Sequence, residues 1–203
     1  MSTRDTSKSA GRAKASHPDA QLALARKLWS GDRIKKNKAE ALKQFRAAAK
    51  SGKAEHQMAL GLILCWEEGK YRDFEEGFDW IRQAAERGDI GAQYFVAAEY
   101  ATGENVTQDL AEAAKWYRKA AESGHAEAQY NLGLMYWEGE GVSKDVGQAH
   151  RWLLAAGKAG ELLALRVLSE AYEGGLMGFP RDEAQAHYWR EKYEKSSARP
   201  RPS

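Results

Sequence analysis

The chain has very little of what disulfide-bonded or membrane-spanning proteins require. Its 203 residues include one cysteine, Cys65, so no disulfide can form within the chain. No stretch approaches the roughly 18 consecutive apolar residues that a membrane-spanning helix needs. We therefore expect no membrane span. Because an unpaired cysteine is typical of a reducing compartment, the predicted location is the cytoplasm.

Motifs for catalysis and for metal binding are also lacking. The sequence has no Gly-x-Ser-x-Gly nucleophile elbow, and the segment from Gly139 to Lys144 lacks the spacing of a phosphate-binding loop. None of the five histidines lies four residues from another or beside a cysteine cluster, as a zinc site would require. The sequence therefore predicts no metal ion, no cofactor and no enzymatic activity.

A strong excess of one charge is lacking too. Lys and Arg number 31 against 29 Asp and Glu, a formal net charge of +2. Residues 1–18 and 196–203 contribute +3 and +2, so −3 remains for residues 19–195. This balance does not predict a nucleic-acid-binding surface. The two ends have no large apolar side chains to bury and are predicted to be disordered tails.

What the chain does have is repetition. Glycines that close similar segments recur at intervals of 36 residues, at Gly52, Gly88, Gly124 and Gly160. Such a period without a strand pattern predicts stacked helical hairpins, which bury their apolar faces only against one another. The predicted fold is all-α, an α-solenoid of about five antiparallel helix pairs over residues 19–195. The five units are about 19–53, 54–89, 90–125, 126–161 and 162–195.

Capping residues mark the helices within each unit. An Asn or Asp stands three residues before a Glu or Gln at the start of every second helix, which predicts a reciprocal capping box. The cap residues are Asn37, Asp73, Asp109, Asp145 and Asp182. The predicted first helices are about 19–30, 55–68, 91–102, 127–138 and 162–173. The predicted second helices are about 38–51, 74–87, 110–123, 146–159 and 183–195.

Small residues recur on the first helices at one position, for example Gly61 and Gly133. A small residue beside a large one lets two helices approach closely. We expect the tryptophan of the second helix, as at Trp80, Trp116 and Trp152, to lie over this gap and to belong to the core.

The fourth unit resembles the Sel1-like repeat, in the pattern Ala126-x-Ala128-x-x-x-Leu132-Gly133-x-x-Tyr136-x-x-Gly139-x-Gly141-Val142-x-x-Asp145. This resemblance implies a solenoid related to tetratricopeptide repeats, in a family that acts mainly as non-catalytic adaptors and scaffolds, many of them bacterial. Two alternatives remain open, a toxin-neutralising immunity protein or inhibitor and, more remotely, a hydrolase. Unit two departs from the pattern because it has Glu67 and Glu68 and lacks the Gly-x-Gly-Val loop. Asn105 replaces the loop glycine in unit three and is predicted to tolerate a left-handed backbone.

A second stripe on the first helices differs from unit to unit. If these helices line the inner curve, as the resemblance implies, the stripe is a groove for a peptide or helix of another protein, with Trp66 as the best anchor. Arg26 and Lys27 would steer acidic parts of that partner. The alternative is that the aliphatic members pack between repeats. The chain is expected to be a monomer. The predicted groove residues are Arg26, Lys27, Leu62, Trp66, Phe95, Glu99, Asn131, Met135 and Glu138.

Trp116 tests the predicted core. Truncation of a buried aromatic side chain removes its contacts and leaves a cavity, so Trp116→Ala is expected to lower the free energy of unfolding by roughly 3 to 5 kcal/mol. Chemical denaturation followed by circular dichroism measures this change. A loss below roughly 1 kcal/mol would show that Trp116 lies outside the core.

Overall fold

The computed structural model of the chain describes residues 17–198. That range contains ten α-helices, one short 3₁₀ helix and no strand, which confirms the all-α solenoid prediction. The helices are α1 (Pro18–Ser30), α2 (Lys38–Ala49), α3 (Ala54–Trp66), α4 (Phe74–Glu86), α5 (Ile90–Thr102), α6 (Leu110–Glu122), α7 (Ala126–Glu138), α8 (Val146–Ala159), α9 (Leu162–Gly174) and α10 (Glu183–Ser197).

The helix ends differ from the predicted ones at a few places. Helix α1 begins at Pro18 and α10 ends at Ser197, so both extend slightly into the predicted tails. The rest of those tails, residues 1–16 and 199–203, lies outside the described residues. Helix α3 ends at Trp66, two residues earlier than predicted, because Glu67 is already extended at φ −71° and ψ 151°. The 3₁₀ helix Gly69–Tyr71 then leads to α4.

Every second helix starts at the predicted cap residue. The cap side chain accepts a hydrogen bond from the backbone N–H three residues on, and the five donor–acceptor distances run from 2.9 to 3.1 Å. This bond satisfies one of the first-turn amides that have no partner within the helix. The side-chain half of the capping prediction is therefore confirmed.

The reciprocal half of the capping box was wrong. The backbone N–H of each cap residue donates to a carbonyl of the preceding first helix, as from Asp73 to Leu64 at 3.0 Å and from Asp145 to Tyr136 at 2.9 Å. Three of the third-position side chains bond elsewhere: Glu40 accepts from Gln44 at 2.7 Å, Glu76 from Arg46 and Glu112 from Lys115. The cap amide thus holds the two helices of a hairpin together.

The predicted close approach of paired helices is present, but a different side chain fills it. A Cβ added at Gly61 would lie 2.4 Å from Ile81 Cγ1, and one at Gly133 would lie 2.9 Å from Leu153 Cγ. These aliphatic residues directly follow the tryptophans that were expected there. The tryptophans face a different direction on the helix, and Trp80 is only half-buried. Trp116 and Trp152 are buried, as predicted.

The chain divides into two compact bodies within α5. The N-terminal body ends at Ala92 and the C-terminal body begins at Gln93. The core of the N-terminal body includes Leu22, Phe45, Leu60 and Leu64. In the C-terminal body one core cluster joins α8, α9 and α10 through Leu153, Leu165, Leu168, Ala171, Phe179 and Trp189.

Two glycines make a matched test of the close approach in the N-terminal body. Gly61→Ala is expected to destabilise the protein by roughly 1 to 3 kcal/mol, because the added methyl group overlaps Ile81 and the backbone oxygen of Gly77. Gly91→Ala meets no atom closer than 3.5 Å. It should stabilise by about 0.5 to 1 kcal/mol, because alanine loses less backbone entropy in a helix. Urea denaturation of both variants measures the difference, and equal effects would contradict the packing.

Candidate partner-binding site

Two of the predicted groove residues line an open apolar cleft in the N-terminal body. Leu62 and Trp66 of α3 enclose a space of about 480 Å³ together with Trp29, Ile63 and Glu67. Trp66 is 71% exposed, whereas Leu62 and Ile63 are half-buried. The cleft therefore has an aliphatic floor with an indole ring standing at its edge.

Aromatic packing holds Trp29, the residue that α1 contributes to the cleft. Trp29, in the last turn of α1, meets Phe45 and Tyr71 edge to face, with ring centroids 6.2 Å apart in both pairs. The ammonium group of Lys38 lies 4.9 Å from the Trp29 ring centroid, a cation–π contact. Lys38 also forms an ion pair with Glu67 at the rim. These contacts fix the shape of the cleft.

The two predicted basic residues lie on α1 and are exposed. Arg26 donates to the carboxylate of Glu55 at 3.3 Å. Because both partners are exposed, this pair adds little to stability. A second bridge to the next repeat is stronger, since Arg46 donates two hydrogen bonds to Glu76, at 2.9 and 2.6 Å. The Arg46 guanidinium lowers the pKa of the Glu76 carboxyl below its ordinary value.

Two predicted groove residues of the C-terminal body point into the protein. Met135 is 7% exposed and Glu99 is 9% exposed. The Glu99 carboxylate accepts a hydrogen bond from Asn105 Nδ2 at 3.0 Å. The positive-φ residues do not include Asn105, so the predicted left-handed backbone there was wrong. In this loop Asn105 serves as a hydrogen-bond donor to α5 instead.

The other three predicted residues of this body differ from one another. Phe95 is half-buried and Glu138 is exposed. The Asn131 side chain hydrogen-bonds the hydroxyl groups of Tyr94 and Tyr117. Burial raises the pKa of Tyr117 to about 12, against the smaller opposing effect of the Asn131 hydrogen bond. Asn131 therefore has a structural partner on each of two helices.

Sequence reasoning missed some residues that shape the cleft and one buried cluster. Lys38 and Tyr71 do not recur at the matching positions of other repeats, and Trp29 recurs only at Trp137, so periodicity did not mark these residues as part of a site. His56 is 1% exposed and contacts the Ala48 carbonyl oxygen and the Asp19 carboxylate, at 3.2 and 2.9 Å. Lys53 hydrogen-bonds to Asp19 and is the largest cause of the lowered pKa of that carboxyl. This cluster joins α1 to the start of α3.

The described residues contain no group of three or more His, Cys, Asp or Glu side chains placed to hold a metal ion. In the same range, no helix has the length and apolar character to cross a bilayer. The chemistry that the cleft offers is contact with aromatic and aliphatic side chains, with charged groups at its rim.

The family model for the Sel1 repeat matches residues 18–53, 54–89, 90–125, 126–161 and 162–192. The chain belongs to the Sel1 repeat family. Sel1 repeat proteins generally mediate protein–protein interaction and are typically non-catalytic. No curated protein matches the sequence.

Several solved structures resemble this Sel1 repeat chain. The protective antigen c5321 of uropathogenic Escherichia coli is 32% identical with a TM-score of 0.82, and the match covers 92% of this chain and 40% of that protein. A Sel1 repeat protein of Oxalobacter formigenes is 31% identical with a TM-score of 0.70, over 93% of this chain and 75% of the other. The immunity protein Pa5087 of Pseudomonas aeruginosa, 18% identical with a TM-score of 0.53 over 95% of this chain and 72% of that one, shares the fold alone.

The raised pKa of Tyr117 makes its contribution to the stability of the folded state depend on pH. Its phenol is expected to titrate near pH 12 in the folded protein, because burial disfavours the phenolate. The folded state then holds this proton more tightly than the unfolded state. The contribution to stability is therefore present below pH 10 and is lost as the pH rises toward 12. The tyrosinate absorbance of the wild type minus that of Tyr117→Phe measures this titration. A midpoint near 10 would contradict the burial.

Proposed function

We propose that this Sel1 repeat chain is a non-catalytic interaction scaffold that binds a segment of another protein at the apolar cleft of its N-terminal body. The observation that carries the proposal is the exposed indole of Trp66 above a floor of Leu62 and Ile63. A large aromatic side chain that is mostly exposed beside an apolar cleft is typical of a binding surface.

The geometry of the cleft supports a tight contact. Its walls come from the ends of two helices, and Trp29 is held by Phe45, Tyr71 and Lys38 before any partner arrives. A binding surface that is already ordered loses little conformational entropy on association. Aromatic side chains in such positions commonly contribute 2 kcal/mol or more to binding.

The same observations guide the choice among the alternatives. An immunity protein must recognise one toxin, and the similarity to Pa5087 supports only the fold. A hydrolase needs a nucleophile with a base beside it, whereas the cleft is lined by Trp29, Leu62, Ile63, Trp66 and Glu67. The cleft composition therefore favours binding over catalysis.

The test compares two exposed apolar residues on first helices, Trp66 and Leu163, which are 71% and 46% exposed. The wild type, Trp66→Ala and Leu163→Ala are immobilised and incubated with an extract of the native organism. Retained proteins are identified by mass spectrometry, and their affinities are measured with purified material. We expect a partner that the wild type and Leu163→Ala bind alike, and that Trp66→Ala binds at least about tenfold more weakly.

Circular dichroism and thermal melting control for folding. Both variants should melt near the wild-type temperature, because the truncated side chains are largely exposed. A partner bound equally by Trp66→Ala and the wild type would show that the cleft is not the binding site. A partner lost equally from both variants would show that the effect is not specific to the cleft.

A further inference from the structure

Charge is distributed very unevenly between the first two repeats. Residues 18–53 contain ten Lys and Arg against three Asp and Glu, a net charge of +7. Residues 54–89 contain four against nine, a net charge of −5. Among the described residues, three ion pairs of Lys or Arg join these repeats, and each takes its cation from the first repeat and its carboxylate from the second: Arg26–Glu55, Lys38–Glu67 and Arg46–Glu76.

These ion pairs leave exposed cations near the apolar cleft. Lys70 and Arg72 lie on and just after the 3₁₀ helix Gly69–Tyr71, where the second repeat departs from the family loop. Both are exposed and neither takes part in the ion pairs found among the described residues. They line a second cleft of about 290 Å³, together with Arg46, Tyr71 and apolar residues of α2 and α3.

Tyr71 connects the two clefts. Its ring lies 6.2 Å from that of Trp29 in the apolar cleft, and Lys70 Nζ lies 5.0 Å from the Tyr71 ring centroid. Lys70 Nζ is therefore within about 11 Å of the Trp29 ring. An extended peptide covers this distance in roughly three residues. One peptide can thus reach both clefts.

We propose that the partner segment is an acidic peptide, which places a bulky apolar side chain in the apolar cleft lined by Trp29 and Trp66 and, about three residues from its contact with Trp29, a carboxylate beside Lys70 and Arg72. This inference rests on the proposed function, since it assigns the partner chemistry of the same cleft. The exposed Lys27 and the basic loop after α1, with Lys35 and Lys36, add positive charge to the same repeat and attract such a peptide over longer distances.

A nucleic acid fits this surface less well than an acidic peptide. The carboxylates of Glu67 and Asp73 line the two clefts, and Glu68 lies exposed between the helices. A continuous phosphate backbone would meet these groups, whereas a peptide can place single carboxylates at the cations. The cleft floor is also aliphatic, through Leu62 and Ile63, and suits a side chain better than a stacked base.

The test uses a random peptide library selected on the full chain and counter-selected on Trp66→Ala. We expect the enriched peptides to contain an aromatic or large aliphatic residue with Asp or Glu about three positions away. Fluorescein-labelled synthetic copies are then titrated with Lys70→Glu and with Lys50→Glu. Lys50 follows the other end of α2, is exposed, and lines neither of the two clefts. Its reversal therefore changes the net charge equally without touching either cleft.

Lys70→Glu should weaken these peptides at least about tenfold, and Lys50→Glu about twofold or less. Added salt should reduce the wild-type affinity, since exposed charges are screened. If Trp66-dependent peptides lack acidic residues and bind Lys70→Glu normally, the acidic-peptide inference is overturned while the proposed function stands. If no peptide depends on Trp66, the proposed function fails first. Labelled oligouridylate tests for RNA binding. If it binds the wild type, is displaced by the peptides and does not bind Lys70→Glu, the surface is assigned to RNA and the inference is also overturned.

Discussion

Each hairpin of this chain depends on the Asn or Asp that begins its second helix. The side chain of that residue accepts from the first turn of the second helix, and its own amide donates to the first helix. One residue therefore sets both the start of a helix and the register of the pair. The loop between the helices can then vary: in the fifth repeat it is one residue longer, and the amide of Asp182 still donates to Tyr172 at 2.9 Å. Because the cap residue and not the loop holds the two helices together, the sequence of the loop can change without loss of the hairpin.

The second repeat uses that freedom. Asp73 keeps the inter-helix bond to Leu64, while the loop before it becomes the 3₁₀ helix that carries Lys70 and Tyr71. Helix α3 ends at the same repeat position as the other first helices, but in this unit the position holds Trp66, whose side chain is exposed beside the cleft. The departures from the repeat pattern and the candidate site therefore coincide. In a solenoid, positions that hold neighbours together must keep their residue type, so individual function concentrates where the pattern is broken.

The sequence predicted the repeated helices well, and it predicted less well which side chains line the cleft. Capping residues and the 36-residue period located all ten helices among the described residues, because each unit solves the same packing problem. Among the predicted groove residues, Leu62 and Trp66 line the cleft, whereas Met135 and Glu99 are buried. A stripe on a helix does not reveal which neighbouring helix covers it, so exposure could not be read from periodicity. Tyr71 has no counterpart in other repeats and Trp29 recurs only at Trp137, so only the tertiary packing of Trp29 on Tyr71 identified them as parts of the cleft.

The cations that join the first two repeats differ from the cations that we propose to bind a partner. Arg46 donates two hydrogen bonds to Glu76. Lys38 forms an ion pair with Glu67 and a cation–π contact with Trp29. These cations therefore orient the repeats and the cleft wall. An anion that bound them would have to displace partners already present. Lys70 is exposed, pairs with no carboxylate among the described residues, and has its ammonium group over the ring of Tyr71, 5.0 Å from the centroid. In the proposed complex, a carboxylate at Lys70 would therefore add an interaction without breaking one of these ion pairs, so we assign the selectivity of the proposed site to the loop of the second repeat.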